Sequence, residues 1–199
     1  YNRMKCEKDL NEAIADAMKN KEEGIVLFID LDNFKMLNDG MGHQYGDKLL
    51  KQVSEGLKSI NEIGNYCYRM GGDEFVIIIK PEYMYMSSEI IGKVYQMFRN
   101  PWKIEDTEYY GTMSMGVVYY PEDGTSVNEL IKKADIAMYD AKNGGKNRIE
   151  YYNAYKDGQI EKRLDMEKNM RLAISGGCDE FKLYIQPVID ARTEKCMGG

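Results

Sequence analysis

Residues Ile25-Val-Leu-Phe-Ile29 form an unbroken apolar run of strand length that leads directly into Asp30-Leu-Asp32. A run with no polar alternation must be covered on both faces, so it predicts the central strand of a sheet with helices on either side. The carboxylates at its exit add a second constraint. An ionised acid at the mouth of a buried strand is costly unless a cation, a hydrogen-bond donor or solvent satisfies it. The fold must bring such a partner to that end of the sheet.

The surrounding pattern alternates helices and strands. Cys6, Leu10, Ile14 and Ala17/Met18 recur at helical spacing and predict an opening amphipathic helix, ended by Gly24. Leu49, Leu50, Val53, Leu57 and Ile60 predict a second helix, and Ile90, Ile91, Val94, Tyr95 and Phe98 a third. Val127, Leu130, Ile131, Ala134, Met138 and Ala141 give the clearest one, stopped by Asn143-Gly-Gly145. Residues 65–70 and 75–79 read as strands joined by Gly71-Gly-Asp-Glu74. A single strand is expected over 107–120, with Met113, Met115, Val117 and Tyr119 on one face, and another over 148–152. This order predicts an α+β fold, a ferredoxin-like, antiparallel-rich sheet flanked by helices. Residues 1–154 are expected to form one domain and 155–177 a charged helical linker. Residues 178–199, with a strand over Phe181–Ile185, are expected to begin a further domain whose remainder would lie beyond the chain.

Lys and Arg total 27 against 33 Asp and Glu, a formal charge of -6. An acidic chain without a Lys/Arg block makes a poor general nucleic-acid binder, because phosphate neutralisation needs a basic face. Cys6, Cys67, Cys178 and Cys196 lie far apart, so reduced thiols are expected rather than a disulfide framework or a zinc site. No apolar run reaches membrane-spanning length and no signal peptide opens the sequence. A cytoplasmic location without membrane contact is expected for these residues, with any anchor elsewhere in the parent protein.

If the 71–74 turn lies beside the first strand, Asp30, Asp73 and Glu74 converge. Such hard oxygen ligands suit Mg²⁺, which binds a few carboxylates together with substrate phosphates. Gly71 and Gly72 would let a ligand approach the backbone closely. Each piece alone is also an ordinary turn. An EF-hand over 30–41 is excluded, because Phe34, Lys35 and Met41 occupy positions that need a ligand, glycine and glutamate. No Walker A motif occurs. His43, the single histidine, is expected to have a structural place at a helix start.

Taken together, Phe28-Ile-Asp-Leu-Asp-Asn-Phe-Lys-Met-Leu-Asn-Asp39, Gly42-His-x-x-Gly-Asp47 and Arg69-Met-Gly-Gly-Asp-Glu-Phe75 closely resemble the GGDEF family of diguanylate cyclases. The resemblance continues through Ser114-Met-Gly116, Ala134-Asp-x-Ala-Met-Tyr-x-Ala-Lys142 and Gly145-Lys-Asn-Arg148, and it covers roughly residues 1–152. It implies a sheet similar to that of nucleotidyl cyclases and the condensation of two GTP into cyclic di-GMP. It also implies two Mg²⁺ per active site, with Mn²⁺ as a substitute, and a homodimer that brings two GTP face to face. By resemblance, Asp30, Asp73 and the Leu31 carbonyl hold metal, and Asp73 and Glu74 are catalytic. Asn38 and Asp47 match positions that hold the guanine edge, and Phe34 and Lys35 the loop around the phosphates. Gly71 and Gly72 line the nucleotide, while Lys142 and Lys146 face its phosphates. Lys146 stands where the family often has Arg, which keeps the charge but loses the bidentate fork.

Three departures matter. Glu62 and Asn65 replace the Arg and Asp of a secondary inhibitory site common in the family, so no product inhibition is expected there. The family's Asp-x-Leu-Thr-Gly-Leu stretch would precede Asn2-Arg3, and its absence is expected to weaken an edge of the fold. Phe181-Lys-Leu-Tyr-Ile-Gln-Pro-Val-Ile-Asp190 resembles the opening of an EAL phosphodiesterase domain, which implies a GGDEF–EAL parent protein. Two functional readings stand at this point. One is an active diguanylate cyclase; the other is a GTP-binding regulatory module that adjusts an attached phosphodiesterase with little turnover.

Overall fold

A computed structural model of the chain describes residues 1–154, 166, 168–176, 184, 186–193 and 195–198. The chain divides into two compact units, Tyr1–Asn153 and Ala154–Gly199.

In the first unit, helix α1 (Arg3–Asn20) starts where Asn2 accepts a hydrogen bond from the Lys5 N–H at 3.1 Å. Strand β1 (Gly24–Leu31) is buried along its whole length, as its unbroken apolar run requires. Helices α2 (Phe34–Met41) and α3 (His43–Ser59) follow. Strands β2 (Cys67–Gly71) and β3 (Glu74–Ile79) form the expected hairpin. A 3₁₀ turn (Pro81–Met86) leads into α4 (Ser87–Met97). After the small hairpin β4 (Trp102–Ile104) and β5 (Thr107–Tyr109) come β6 (Met113–Tyr120), α5 (Val127–Asn143) and β7 (Arg148–Tyr151). The sheet order is β2-β3-β1-β6-β7, antiparallel except where β7 runs parallel to β6. This is the expected α+β architecture.

Successive residues of β1 point to opposite faces and feed two cores. Ile25, Leu27, Ile29 and Leu31 pack with residues of α2, α3 and α4. Val26 and Phe28 pack with α1 and α5. The faces are set by side-chain size as well as polarity. A Cβ at Gly116 on β6 would lie 2.0 Å from the Ala134 carbonyl oxygen of α5, so only glycine lets that helix come so close.

The expected single strand over 107–120 is two strands. Residues 107–109 turn back on 102–104, and 113–120 join the main sheet. Gly111 sits at the break, where a Cβ would meet the Tyr109 ring at 2.6 Å. Helix α2 also lay outside the sequence expectation.

In the second unit, residues 168–175 are helical, and β8 (Val188–Ile189) pairs with β9 (Cys196–Gly198). Most of the expected strand at 181–185, and residues 155–165 and 167 of the expected linker helix, lie outside the described residues. Among the described residues, no helix is long and apolar enough to cross a membrane.

Candidate active site

The polar end of β1 is built by strand register. Asp30 stands directly opposite Glu74 on β3 and Ser114 on β6. The 71–74 turn folds over the same end, with the Leu31 N–H donating to the Asp73 carbonyl at 3.3 Å. Gly72 takes a positive φ of 49°, and Arg69 Nε donates to its carbonyl at 2.9 Å, which pins the turn. A Cβ at Gly71 or Gly72 would meet nothing within 4 Å, so the space above the turn is open. Asp30, Asp73 and Glu74 therefore come together as the sequence predicted.

Asp30 is paired with Lys142, in the last turn of α5. The lysine Nζ lies 2.7 Å from Asp30 Oδ2. Burial still pushes the Asp30 carboxyl above its ordinary value; Lys142 opposes this, and the charges of Asp73 and Asp32 reinforce it. Glu74 is raised for the same reasons: burial first, then Asp30, Asp135 and Asp73, with Lys142 opposing. One lysine does not offset the acids gathered here. Among the described residues, no group of three or more His, Cys, Asp or Glu is placed to hold a metal ion by itself. The donor set nonetheless fits Mg²⁺, which needs only one or two carboxylates when phosphates and water complete its shell.

Asp32 behaves differently from its neighbour. It is 3% exposed and accepts hydrogen bonds from Thr112 Oγ1 and Ser114 Oγ, each at 2.8 Å, and from the Asn147 N–H at 3.0 Å. Three donors satisfy this buried carboxylate, so it needs no metal.

The remaining predicted residues lie mainly on α2, α3 and the bend after α5. Phe34 and Lys35 begin α2; Phe34 is buried in the core and Lys35 is exposed. Asn38, one turn further, carries a buried Oδ1 with no partner. A Cβ at Gly46 on α3 would lie 2.0 Å from that atom, so glycine makes room for the amide. Asp47 follows on α3, exposed. Lys146 donates to Asn33 Oδ1 at 2.7 Å, ahead of α2. His43 starts α3, as expected. Glu62 pairs with Lys93 at 3.1 Å. Sequence reasoning missed Asn33, Thr112 and Asn147 as partners; the one local signal was the Gly-Gly-Lys-Asn bend after α5.

Over residues 1–148 the sequence matches the family described as diguanylate cyclase, GGDEF domain. The chain belongs to the GGDEF family. The signaling protein YkoW of Bacillus subtilis is 36% identical over 176 residues, which cover 87% of this chain and 22% of YkoW. MucR of Pseudomonas aeruginosa, a bifunctional diguanylate cyclase/cyclic di-GMP phosphodiesterase, is 32% identical over 197 residues, 99% of this chain and 28% of MucR. The chain thus spans less than a third of either relative. The GGDEF domain of YfiN (TpbB) from Pseudomonas aeruginosa superposes with a TM-score of 0.74 at 28% identity, covering 81% of this chain and 94% of that one. The GGDEF unit in the present chain accordingly carries the family's signature turn with all its acids in place.

Proposed function

We propose that this GGDEF domain is a diguanylate cyclase that condenses two GTP into cyclic di-GMP and two pyrophosphates. The observation that carries the reading is the set of acids at one open sheet end. Asp30 and Glu74 stand side by side, Asp73 sits on the glycine turn, and burial, with neighbouring carboxylates, raises both Asp30 and Glu74. A cluster of that kind is stabilised when a cation arrives.

Asp30, Asp73 and the Leu31 carbonyl would hold Mg²⁺, or Mn²⁺ in its place. Two bound ions would supply charge neutralisation of the triphosphate and a lowered pKa for the attacking hydroxyl. Lys142 and Lys146 would take phosphate charge, and the backbone at Phe34 and Lys35 would wrap the same group. Gly71 and Gly72 leave it room. The unpartnered Asn38 Oδ1 and the exposed Asp47 would accept the N–H groups of the guanine edge. In each step the ribose 3′-oxygen of one GTP bonds to the α-phosphorus of the other. The bond to pyrophosphate breaks, and the 3′-hydroxyl proton leaves towards Glu74 or water. One domain presents one such site, so turnover needs a homodimer. A reaction that consumes GTP would take place in the cytoplasm. The alignment with MucR runs past residue 148, and with the Phe181–Asp190 resemblance it supports a parent protein that also carries an EAL domain.

The test is product formation from Mg²⁺ and GTP at low and high protein concentration, with Asp73→Asn beside the wild type. Cyclic di-GMP should rise more steeply than linearly with protein, and the variant should lose about a hundredfold or more, as for removal of a charge-stabilising group. The Lys142–Asp30 ion pair is the observation on the side of the regulatory alternative, because a metal must compete with that lysine for the carboxylate. Tight GTP binding without product in the full-length protein would establish that alternative.

A further inference from the structure

The Asp30-x-Asp32 motif supplies two acids to the same end of β1, and only one of them faces the proposed nucleotide. Asp32 is spent on three donors, and the donor farthest away in sequence is the Asn147 N–H. The next residue, Asn33, accepts from Lys146 Nζ. Two consecutive side chains after β1 thus grip two consecutive residues of the bend between α5 and β7.

That bend is strained. Gly145, Lys146 and Asn147 all have positive φ, 118°, 63° and 48°. The left-handed region is unfavourable for a lysine, and such conformations persist only where the surroundings over-determine them. Here the Lys146 N–H donates to the Ala141 carbonyl at 3.0 Å, and Tyr95 Oη donates to the Asn147 carbonyl at 2.9 Å. The Asp32 carboxylate holds the other side of Asn147. Its own direction is fixed by the hydroxyls of Thr112 and Ser114, both on the β6 side of the sheet.

We infer that Asp32 is a positioning residue: it latches the bend through the Asn147 N–H, so that Lys146 is held against Asn33 and aimed at the nucleotide phosphates. The inference rests on the nucleotide reading above and adds a division of labour within the motif. Asp30 meets the cation, and Asp32 sets the lysine.

The experiment is isothermal titration of the full chain with Mg²⁺–GTP and with guanosine, for wild type, Asp32→Asn, Lys146→Ala and the double variant. Alongside it, hydrogen exchange is measured at the Asn147 amide. Asp32→Asn keeps the size of the side chain but turns one acceptor into a donor. The expected result is about tenfold weaker GTP binding in each single variant, the scale of one charge-assisted hydrogen bond. The double variant should bind no worse than Lys146→Ala, guanosine affinity should be unchanged throughout, and the Asn147 amide should lose protection in Asp32→Asn. Additive losses in the double variant, equal losses for GTP and guanosine, or an unchanged GTP affinity in Asp32→Asn would each overturn the inference.

If Asp32→Asn does not fold, Thr112→Val removes one hydroxyl that directs the carboxylate. It should weaken GTP about threefold and spare guanosine, and an unchanged GTP affinity would count against the latch in the same way. A wild-type chain that binds no GTP sinks the nucleotide reading instead. In that case the latch itself is decided by the exchange data: protection of Asn147 in the wild type and its loss in the variant support it, and equal exchange in both refutes it.

Discussion

The same three strands, β3, β1 and β6, end in opposite ways. At one end Gly24 lies across from Tyr120, and the next residue, Ile25, across from Ile79. Tyr120 is fully buried, and its hydroxyl donates to the Ile79 carbonyl at 3.1 Å. Burial raises this hydroxyl above its ordinary value, so it stays a neutral donor. The space a Gly24 side chain would fill is taken by the Tyr120 ring, 2.1 Å from a built Cβ. Every polar group in that description has a partner, and the end is dry. At the other end Asp30 pairs with Lys142 beside Glu74 and Asp73, and the glycine turn stands open. The first end stabilises the sheet. The second carries repulsion that an apolar or neutral set of residues would not, as sites shaped for a ligand commonly do.

Glu74→Gln puts the contrast under the greatest strain. If the open end serves chemistry at the expense of stability, turnover should fall about a hundredfold or more while the melting temperature holds or rises. The pH dependence gives the sign. A carboxylate whose folded-state pKa is raised binds its proton more readily in the native state, so its charge opposes folding at neutral pH. That penalty fades as pH falls through the raised value of Glu74. The stability gained by the variant should therefore be greatest near pH 7 and shrink towards pH 4 in thermal melts without metal. A variant that melts several degrees lower at pH 7 would show that Glu74 stabilises the sheet and that the two ends are alike.

Gly24→Ala probes the dry end. The added methyl must displace the Tyr120 ring, and overpacking of a filled core costs about 1–3 kcal/mol. For a chain of this size each kcal/mol lowers the melting temperature by about 2–4 °C. GTP affinity at 25 °C should stay at the wild-type value, because the substitution lies at the far end of β1. Lost affinity in a folded variant would mean that the ends are coupled through the strand.

Much of this contrast is legible in the sequence, and the part that is not has a physical reason. The run Ile25–Ile29 demanded a covered strand, and the spacing of Asp30 from Gly71-Gly-Asp-Glu74 was enough to predict convergence once the hairpin was placed beside it. Helix α2 has only eight residues and buries only Phe34 and Leu37, too few turns to establish a helical period. The 107–120 stretch keeps its apolar and aromatic character across Gly111, so alternation hid the break between β5 and β6. Asp32 is the sharpest case. Its chemistry as a buried acid was predictable, but its partners Thr112, Ser114 and Asn147 stand 80, 82 and 115 residues away. The Gly-Gly-Lys-Asn147 bend is the one local mark among them, and only the sheet order makes them neighbours of Asp32. The unpartnered Asn38 Oδ1 and its clearance at Gly46 depend likewise on how α2 meets α3.

The smallest expected effect isolates a single bond at the dry end. Tyr120→Phe keeps the ring over Gly24 and removes only the hydroxyl, leaving the Ile79 carbonyl without its side-chain donor. That carbonyl belongs to the last residue of β3, and one neutral hydrogen bond is worth about 1 kcal/mol net. A fall in melting temperature of about 2–4 °C, with turnover unchanged, is expected. Combined with Gly24→Ala the loss should be less than additive, because the displaced ring in the alanine variant already strains the same bond. Full additivity would mean that the ring shifts without disturbing its hydroxyl. The closure of this end would then rest on packing of the aromatic face over glycine, with the hydrogen bond adding only its own increment.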